Sequence, residues 1–427
     1  MATRITRLWL TLCLAGLVAC SVEETEEVAS DVAPAEEATV AEPPTPITIG
    51  HIDSLESEIL GETRELWIYV PESSKRPGNS NLSYPVVYLL DGNGHFHSVS
   101  GMIRQLSSVN GNTAVPEMIV VGIPNTDRMR DLTPTPTEGT SGGGRAFLSF
   151  IEGEVIPHIE ANYPATNYRS FIGHSLGGLT VIDALFEMPE VFQNYVAIDP
   201  SLWWDEQVLL KQSEAKLSEL DLSGKSLFVA VANTLGGRLT YDEVRQDDDA
   251  RTTHIRSILE FARLAEAPSG NGLSFDWEYY IDDSHGSVPL IAEYDGFRFL
   301  FDWHSRVGLT NAISGAESLS AEQALALVDS HFDNVSSHLG YRVLPPERFI
   351  ATGARGMLAD ERFEVALAFL NLNLQNYPQS AAAHEALGDY YIEHGSADDA
   401  LLHLGHAVEL GAGEEVQEKI TALLAED

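Results

Sequence analysis

Short β-rich apolar runs alternate with helix-patterned segments along most of this chain, and that alternation constrains the fold more than any other feature. The runs are "ELWIYVP" (65–71), "PVVYLL" (85–90), "MIVVGI" (118–123), "RSFIG" (169–173), "YVAID" (195–199), "SLFVAVAN" (226–233) and "SFDWEYYI" (274–281). Continuous apolar runs suit strands covered on both faces. Helical stretches intervene at 144–163, 176–188 and 250–266. Strand and helix in alternation predict an α/β fold, a mostly parallel sheet wrapped by helices with ligands at the carboxyl ends of its strands.

One segment stands out at such an end: "YRSFIGHSLGGLT", 168–180. Ser175 lies between Gly173 and Gly177, after an apolar run and before a helix-patterned stretch. In a loop elsewhere, a serine between glycines would mean little. At a strand-to-helix turn, the glycines permit a sharp bend that projects the hydroxyl above the sheet as a nucleophile. The first turn of the following helix offers free backbone N–H groups to developing negative charge. A serine hydroxyl needs a base, and of the 14 histidines His285, in "IDDSHGSVP", falls on the loop after the last strand run. An orienting carboxylate is expected between Asn233 and Asp249, where Asp242, Glu243, Asp247, Asp248 and Asp249 are available. Asp248 is preferred because it stands where the next helix begins; the alternative is that "DDD" is only a helix-start charge cluster.

The chain has 427 residues and a formal net charge of −39, with 64 Asp and Glu against 25 Lys and Arg. Such acidity repels phosphate backbones, so nucleic acid is not an expected partner. Arg4 and Arg7 precede an apolar run, Leu8 to Ala19, that is short for a bilayer span and matches an export signal. It ends in Leu17-Val18-Ala19-Cys20, which resembles a bacterial lipobox. Residues 1–19 then read as a lipoprotein signal peptide with Cys20 lipidated, anchoring the protein in the cell envelope. Ser21 in place of aspartate points to the outer membrane, facing the periplasm. The only other cysteine, Cys13, lies inside the discarded segment, so the mature body has no disulfide chemistry. Residues 20–46, without a basic or aromatic side chain, read as a disordered acidic tether. A catalytic domain is expected over 47–307. From 308 to 427 the chain turns to Ala, Leu, Glu and His at helical spacing, and Ala354, Ala366 and Pro378 recur 34 residues later as Gly388, Ala400 and Ala412. That period resembles the tetratricopeptide repeat and predicts an all-α domain that binds a protein partner or shields the catalytic part.

Five blocks in order, "VVYLLDGNGHFH", "IVVGIPNTDRMRDLTPT", "GHSLGGLTVIDAL", "DPSLWW" and "SHGSVPLIAEYDGFRFLF", resemble the Putative esterase family of α/β-hydrolases, near the siderophore esterases. The resemblance implies an α/β-hydrolase fold and ester hydrolysis by Ser175 and His285, with no cofactor. It implies an oxyanion hole made by the backbone N–H groups of Leu176 and Asn93. Some siderophore-esterase relatives work with a Ser-His dyad, and no strand-end carboxylate directly follows "FVAVAN", which bears on Asp248. Trp203 and Trp204 are candidates for the wall of an acyl site, with core packing as the alternative. Arg128 and Arg130 are candidates for binding an anionic group of a small-molecule ester, with pairing to Asp127 and Asp131 as the alternative. His95 and His97 lack the further ligands of a metal site. An acyltransferase using the same Ser/His pair, and an envelope scaffold acting through the repeats, are the rival readings.

Overall fold

Alternating side chains along the central strands divide cleanly between two hydrophobic clusters, one on each face of a single sheet. In β3 (Tyr84–Leu90), Val86, Tyr88 and Leu90 join one cluster and Val87 and Leu89 the other. In β7 (Ser226–Ala232), Leu227, Val229 and Val231 face one way and Phe228, Ala230 and Ala232 the other. A strand apolar on both faces has to be covered on both, which is why these runs lack the polar alternation of a half-exposed sheet. This computed structural model describes residues 45–75, 82–235, 237, 239–267, 270–315 and 319–426. The proposed signal peptide, Cys20 and nearly all of the tether lie outside the described residues.

The other strands are β1 (His51–Ser57), β2 (Glu62–Tyr69), β4 (Ile119–Ile123), β5 (Ala165–His174), β6 (Asn194–Ile198) and β8 (Ser274–Tyr280). Their order across the sheet is β1-β2-β4-β3-β5-β6-β7-β8. The β1–β2 and β2–β4 pairs are antiparallel, and every other pair is parallel. The strand order reverses direction between β3 and β5, so the loops leaving these neighbouring strands diverge and open a crevice at their carboxyl ends. The expected α/β architecture is therefore present, with one added edge strand: β1, "HIDSLES", is too polar to read as a strand by itself.

After β8 and the helix Val288–Leu300 the chain is all helical. Helix hairpins Glu347–Ala359/Phe363–Asn376 and Ala381–His394/Ala397–Glu409 begin 34 residues apart, 347 to 381 and 363 to 397. Small residues set their close approach: Ala354, Ala366 and Ala400 have no exposure, and a Cβ on Gly388 would lie 2.6 Å from the Leu404 side chain. The preceding helix, Ala321–Leu339, belongs to both regions. Its Ala324, Val328 and Phe332 join the helical core, whereas Val335 and Leu339 join the cluster on one face of the sheet. His338 on the same helix stacks on Trp303, rings 4.5 Å apart.

Candidate active site

Ser175 sits directly after β5, with φ 61° and ψ −115°. A non-glycine residue with positive φ costs of order 1–3 kcal/mol and persists only where its surroundings hold it. Here both sides of the peptide are held: Ser175 N donates to Ile198 O at 2.9 Å, and Ser175 O accepts from Ser201 N and Leu179 N at 3.0 Å. The bend also requires that Gly173 carry no side chain, since a Cβ there would fall 2.4 Å from the carbonyl of Gly177. The Ser175 hydroxyl lies 3.3 Å from that of Ser201.

Leu176 opens the helix Leu176–Glu187 at the end of β5, and Asn93 is the second residue of the helix Gly92–Ser107 at the end of β3. N–H groups in a first helical turn have no intrahelical acceptor, so both are available to a developing oxyanion. The turn before Asn93 is as constrained as the elbow. Asp91 takes a left-handed conformation, φ 52°, and a Cβ on Gly92 would lie 2.6 Å from the Gly122–Ile123 backbone. Asp91 accepts from Asn125 Nδ2 (2.6 Å) and from Arg128 Nε (2.6 Å) and Nη2 (2.9 Å), and the same Nη2 donates to His174 O at 3.1 Å. Burial disfavours the charge on Asp91, but Arg128 and Asn125 overcome it and hold its carboxyl below the usual range. Arg128 thus ties the Asn93 turn to the last residue of the elbow strand. This corrects the expectation that Arg128 binds substrate: its planar fork is occupied by Asp91.

Arg130 is corrected on the same ground. It donates to Glu62 and Asp131, which also hold the fully buried Arg64, so it belongs to an ion network under the loop. Trp204 is core, 4% exposed, its Nε1 donating to Thr135 Oγ1 at 3.2 Å. Trp203 is 43% exposed, two residues beyond Ser201, and remains free to meet a ligand.

His285 lies on the loop after β8, and its ring stands 4.5 Å from that of His174, the neighbour of Ser175. Its carboxylate partner is Asp199, not Asp248. Asp248 is exposed in the loop after β7, while Asp199 directly follows β6 with no exposure at all. His285 Nδ1 lies 2.5 Å from Asp199 Oδ2, and a carboxylate can only accept, so the proton is on Nδ1 and Nε2 is left as the base. A second histidine, His254 near the start of the helix Thr253–Glu266, donates from Nε2 to the same oxygen at 2.9 Å. Asp199 Oδ1 accepts from Ala232 N at 3.0 Å. Burial works against the Asp199 charge, but the hydrogen bonds from His254, His285 and Ala232 outweigh it and hold the carboxyl far below its usual range.

The other histidines here are shifted in opposite directions. Burial, then the proximity of His285 and His95, pushes His174 down to about 4, and its Nε2 is buried with no partner among the described residues. His95 is pushed up by its hydrogen bond to buried Glu293, whose own carboxyl is pushed up by burial. Among the described residues, Asp199, His254 and His285 form the one group with three potential metal-ligating atoms together. Those atoms are spent on one another, two donors on one carboxylate oxygen, so a metal would have to displace both hydrogen bonds.

Asp199 and His254 escape a sequence reading because their partners lie 86 and 55 residues away. The available signal was the acid that ends the buried run "YVAID".

Comparison with known proteins identifies the family of the fold. The family described as Putative esterase matches residues 57–251. The ferri-bacillibactin esterase BesA of Bacillus subtilis is 30% identical over 258 residues, which cover 56% of this chain and 85% of that protein. The chain belongs to the Putative esterase family. The siderophore enterobactin esterase of Emericella nidulans is likewise 30% identical over 258 residues, 52% of this chain and 83% of that protein. Among solved structures, an IroE-like serine hydrolase from Shewanella oneidensis superposes with a TM-score of 0.61 at 31% identity, covering 76% of this chain and 99% of that one. Membership makes this family member an ester hydrolase on an α/β-hydrolase fold, followed by an all-helical region.

Proposed function

We propose that this esterase works by covalent catalysis on Ser175, with His285 as base and Asp199 as the orienting carboxylate. The observation that carries the reading is the 2.5 Å hydrogen bond from His285 Nδ1 to buried Asp199, beside a serine held on a strained strand-to-helix turn. As Ser175 Oγ forms its bond to the ester carbonyl, the hydroxyl proton passes to His285 Nε2 and the carbonyl oxygen becomes the oxyanion. The N–H groups of Leu176 and Asn93 receive that charge, and one such donor is typically worth about 3 kcal/mol. The carbon–oxygen bond to the alcohol then breaks, and His285 returns the proton to the departing alkoxide. Water repeats the sequence on the acyl-enzyme, releasing the acid and restoring Ser175.

The substrate class we favour is a siderophore-type ester, supported by the names of the Bacillus and Emericella relatives. Exposed Trp203 offers an aromatic face for its acyl group. The reading includes attachment at the bacterial envelope through Cys20, supported by the Leu17–Cys20 motif alone.

Ser175→Ala tests the nucleophile. The variant is expected to fold normally, judged by circular dichroism, and to lose both p-nitrophenyl ester hydrolysis and labelling by a fluorophosphonate probe. Labelling at the wild-type rate would assign the nucleophile elsewhere.

A further inference from the structure

We propose that His254 is a positioning residue for the reaction: its Nε2–H fixes the Asp199 oxygen that orients His285. The inference rests on the reading of Ser175, His285 and Asp199 given above and extends it by one residue. Asp199 is fully buried, so its carboxylate oxygens depend on donors packed around them. The structure supplies three donors: Ala232 N on Oδ1, and His285 Nδ1 and His254 Nε2 together on Oδ2. Two of these are rigid. Ala232 is backbone of β7, and His254 is seated in a helical first turn. His285 is the most exposed of the three, on a loop with 42% of its side chain exposed. Between Ala232 and His254 the carboxylate plane is defined whether or not His285 is in place.

The state of His254 follows from its surroundings. Nε2 carries a proton because its partner only accepts. Its Nδ1 is buried with no partner among the described residues, so a second proton there would be a buried donor without an acceptor. His254 therefore acts on Asp199 through a single Nε2–H donor at 2.9 Å.

The acidic loop explains how His254 is delivered. Asp247 Oδ2 accepts from Thr252 Oγ1 at 2.6 Å, and Asp249 Oδ1 accepts from Arg251 N at 2.9 Å, capping the turn that leads into the helix. Arg256, two residues beyond His254, donates to Asp249 O and Thr252 Oγ1 at 3.0 Å. The loop thus sets the helix start, and the helix start aims His254 at Asp199.

The test uses two variants of the full chain. His254→Gln keeps an N–H near the position of Nε2, and His254→Leu fills the space without a donor. With a p-nitrophenyl ester, His254→Leu is expected to lower kcat about 10- to 100-fold with KM little changed, and Gln to restore most of the loss. The low-field proton resonance of the His285–Asp199 hydrogen bond is expected to persist in wild type and Gln and to shift or vanish in Leu. That resonance is read on the resting protein, so it tests His254 even if Ser175→Ala shows the nucleophile to lie elsewhere. Wild-type kcat and an unmoved resonance in His254→Leu would overturn the proposal. Equal losses in Leu and Gln, tracking equal falls in melting temperature, would overturn it as well by showing a packing role.

Discussion

The loops that leave β6 and β7 lie side by side at the carboxyl edge of the sheet and use their carboxylates in opposite ways. The first contributes a single acid, Asp199, without exposure and with three donors on it. The second contains five acids, Asp242, Glu243, Asp247, Asp248 and Asp249, while the carboxylate paired with His285 Nδ1 is Asp199. Glu243 closes a capping box with Thr240, and Asp247 and Asp249 brace the approach to the next helix. A charge in water is screened and cheap to move, whereas a buried one is held to its donors and acts strongly on whatever touches it. The loop poor in acid is therefore the one able to orient a histidine, and the acid-rich loop serves as scaffold.

Asp199→Asn strikes this contrast hardest. The amide can present an N–H where His285 Nδ1–H now donates, favouring the wrong tautomer, and kcat is expected to fall roughly 10³- to 10⁴-fold with folding retained. A loss below about tenfold would return the orienting role to some other group.

Acid is expected to weaken the buried side of the site before it disturbs the exposed loop. An unfolded histidine titrates near 6.5, whereas His174 in the fold is pushed down to about 4. As pH falls through about 6.5 the unfolded chain takes up a proton that folded His174 refuses, so stability declines and levels off near pH 4, by up to about 3 kcal/mol. Asp199 acts lower, because its depressed carboxyl contributes stability above the unfolded value of about 3.9, and that contribution is lost only as pH falls below it. Urea midpoints at pH 7 and 4.5 are expected to differ less for His174→Gln than for wild type. His304, also pushed down to about 4 by burial, contributes to both proteins, so the difference between them isolates His174. Identical pH dependence in the two would show that His174 is protonated in the fold.

Asp248→Ala has the smallest expected effect: kcat and KM within about twofold of wild type, since exposed substitutions away from a structural role rarely matter more. A tenfold loss of kcat would erase the distinction between the two loops.

Much of this arrangement was legible in the chain because it is local. Ser175 announces itself through Gly173 and Gly177 at a strand-to-helix turn, and His285 through its place after the last strand. The central strands are legible because burial on both faces leaves runs such as "PVVYLL". What was illegible depends on convergence. Asp199 reads as the last letter of a strand until β6 is placed between β5 and β7, with helix and loop histidines arriving from later in the chain. Arg128 sits one residue from Asp127, which suggested a local pair, yet its fork closes on Asp91, 37 residues earlier. A place at the start of the next helix favoured Asp248, because solvent exposure cannot be seen in a row of aspartates.

The helix Ala321–Leu339 has a consequence for truncation. It gives Val335 and Leu339 to the sheet and Val328 and Phe332 to the hairpins beyond, and it lays His338 over Trp303. The seam between the two regions therefore runs along the inside of a helix rather than through a loop. A gene cut at the apparent boundary near residue 307 would strip the sheet of part of its cover, and a cut after residue 339 would leave the hairpins without part of theirs. Catalytic and helical parts joined in this way share one packed helix, so a substitution on its inner face is felt on both sides of the seam.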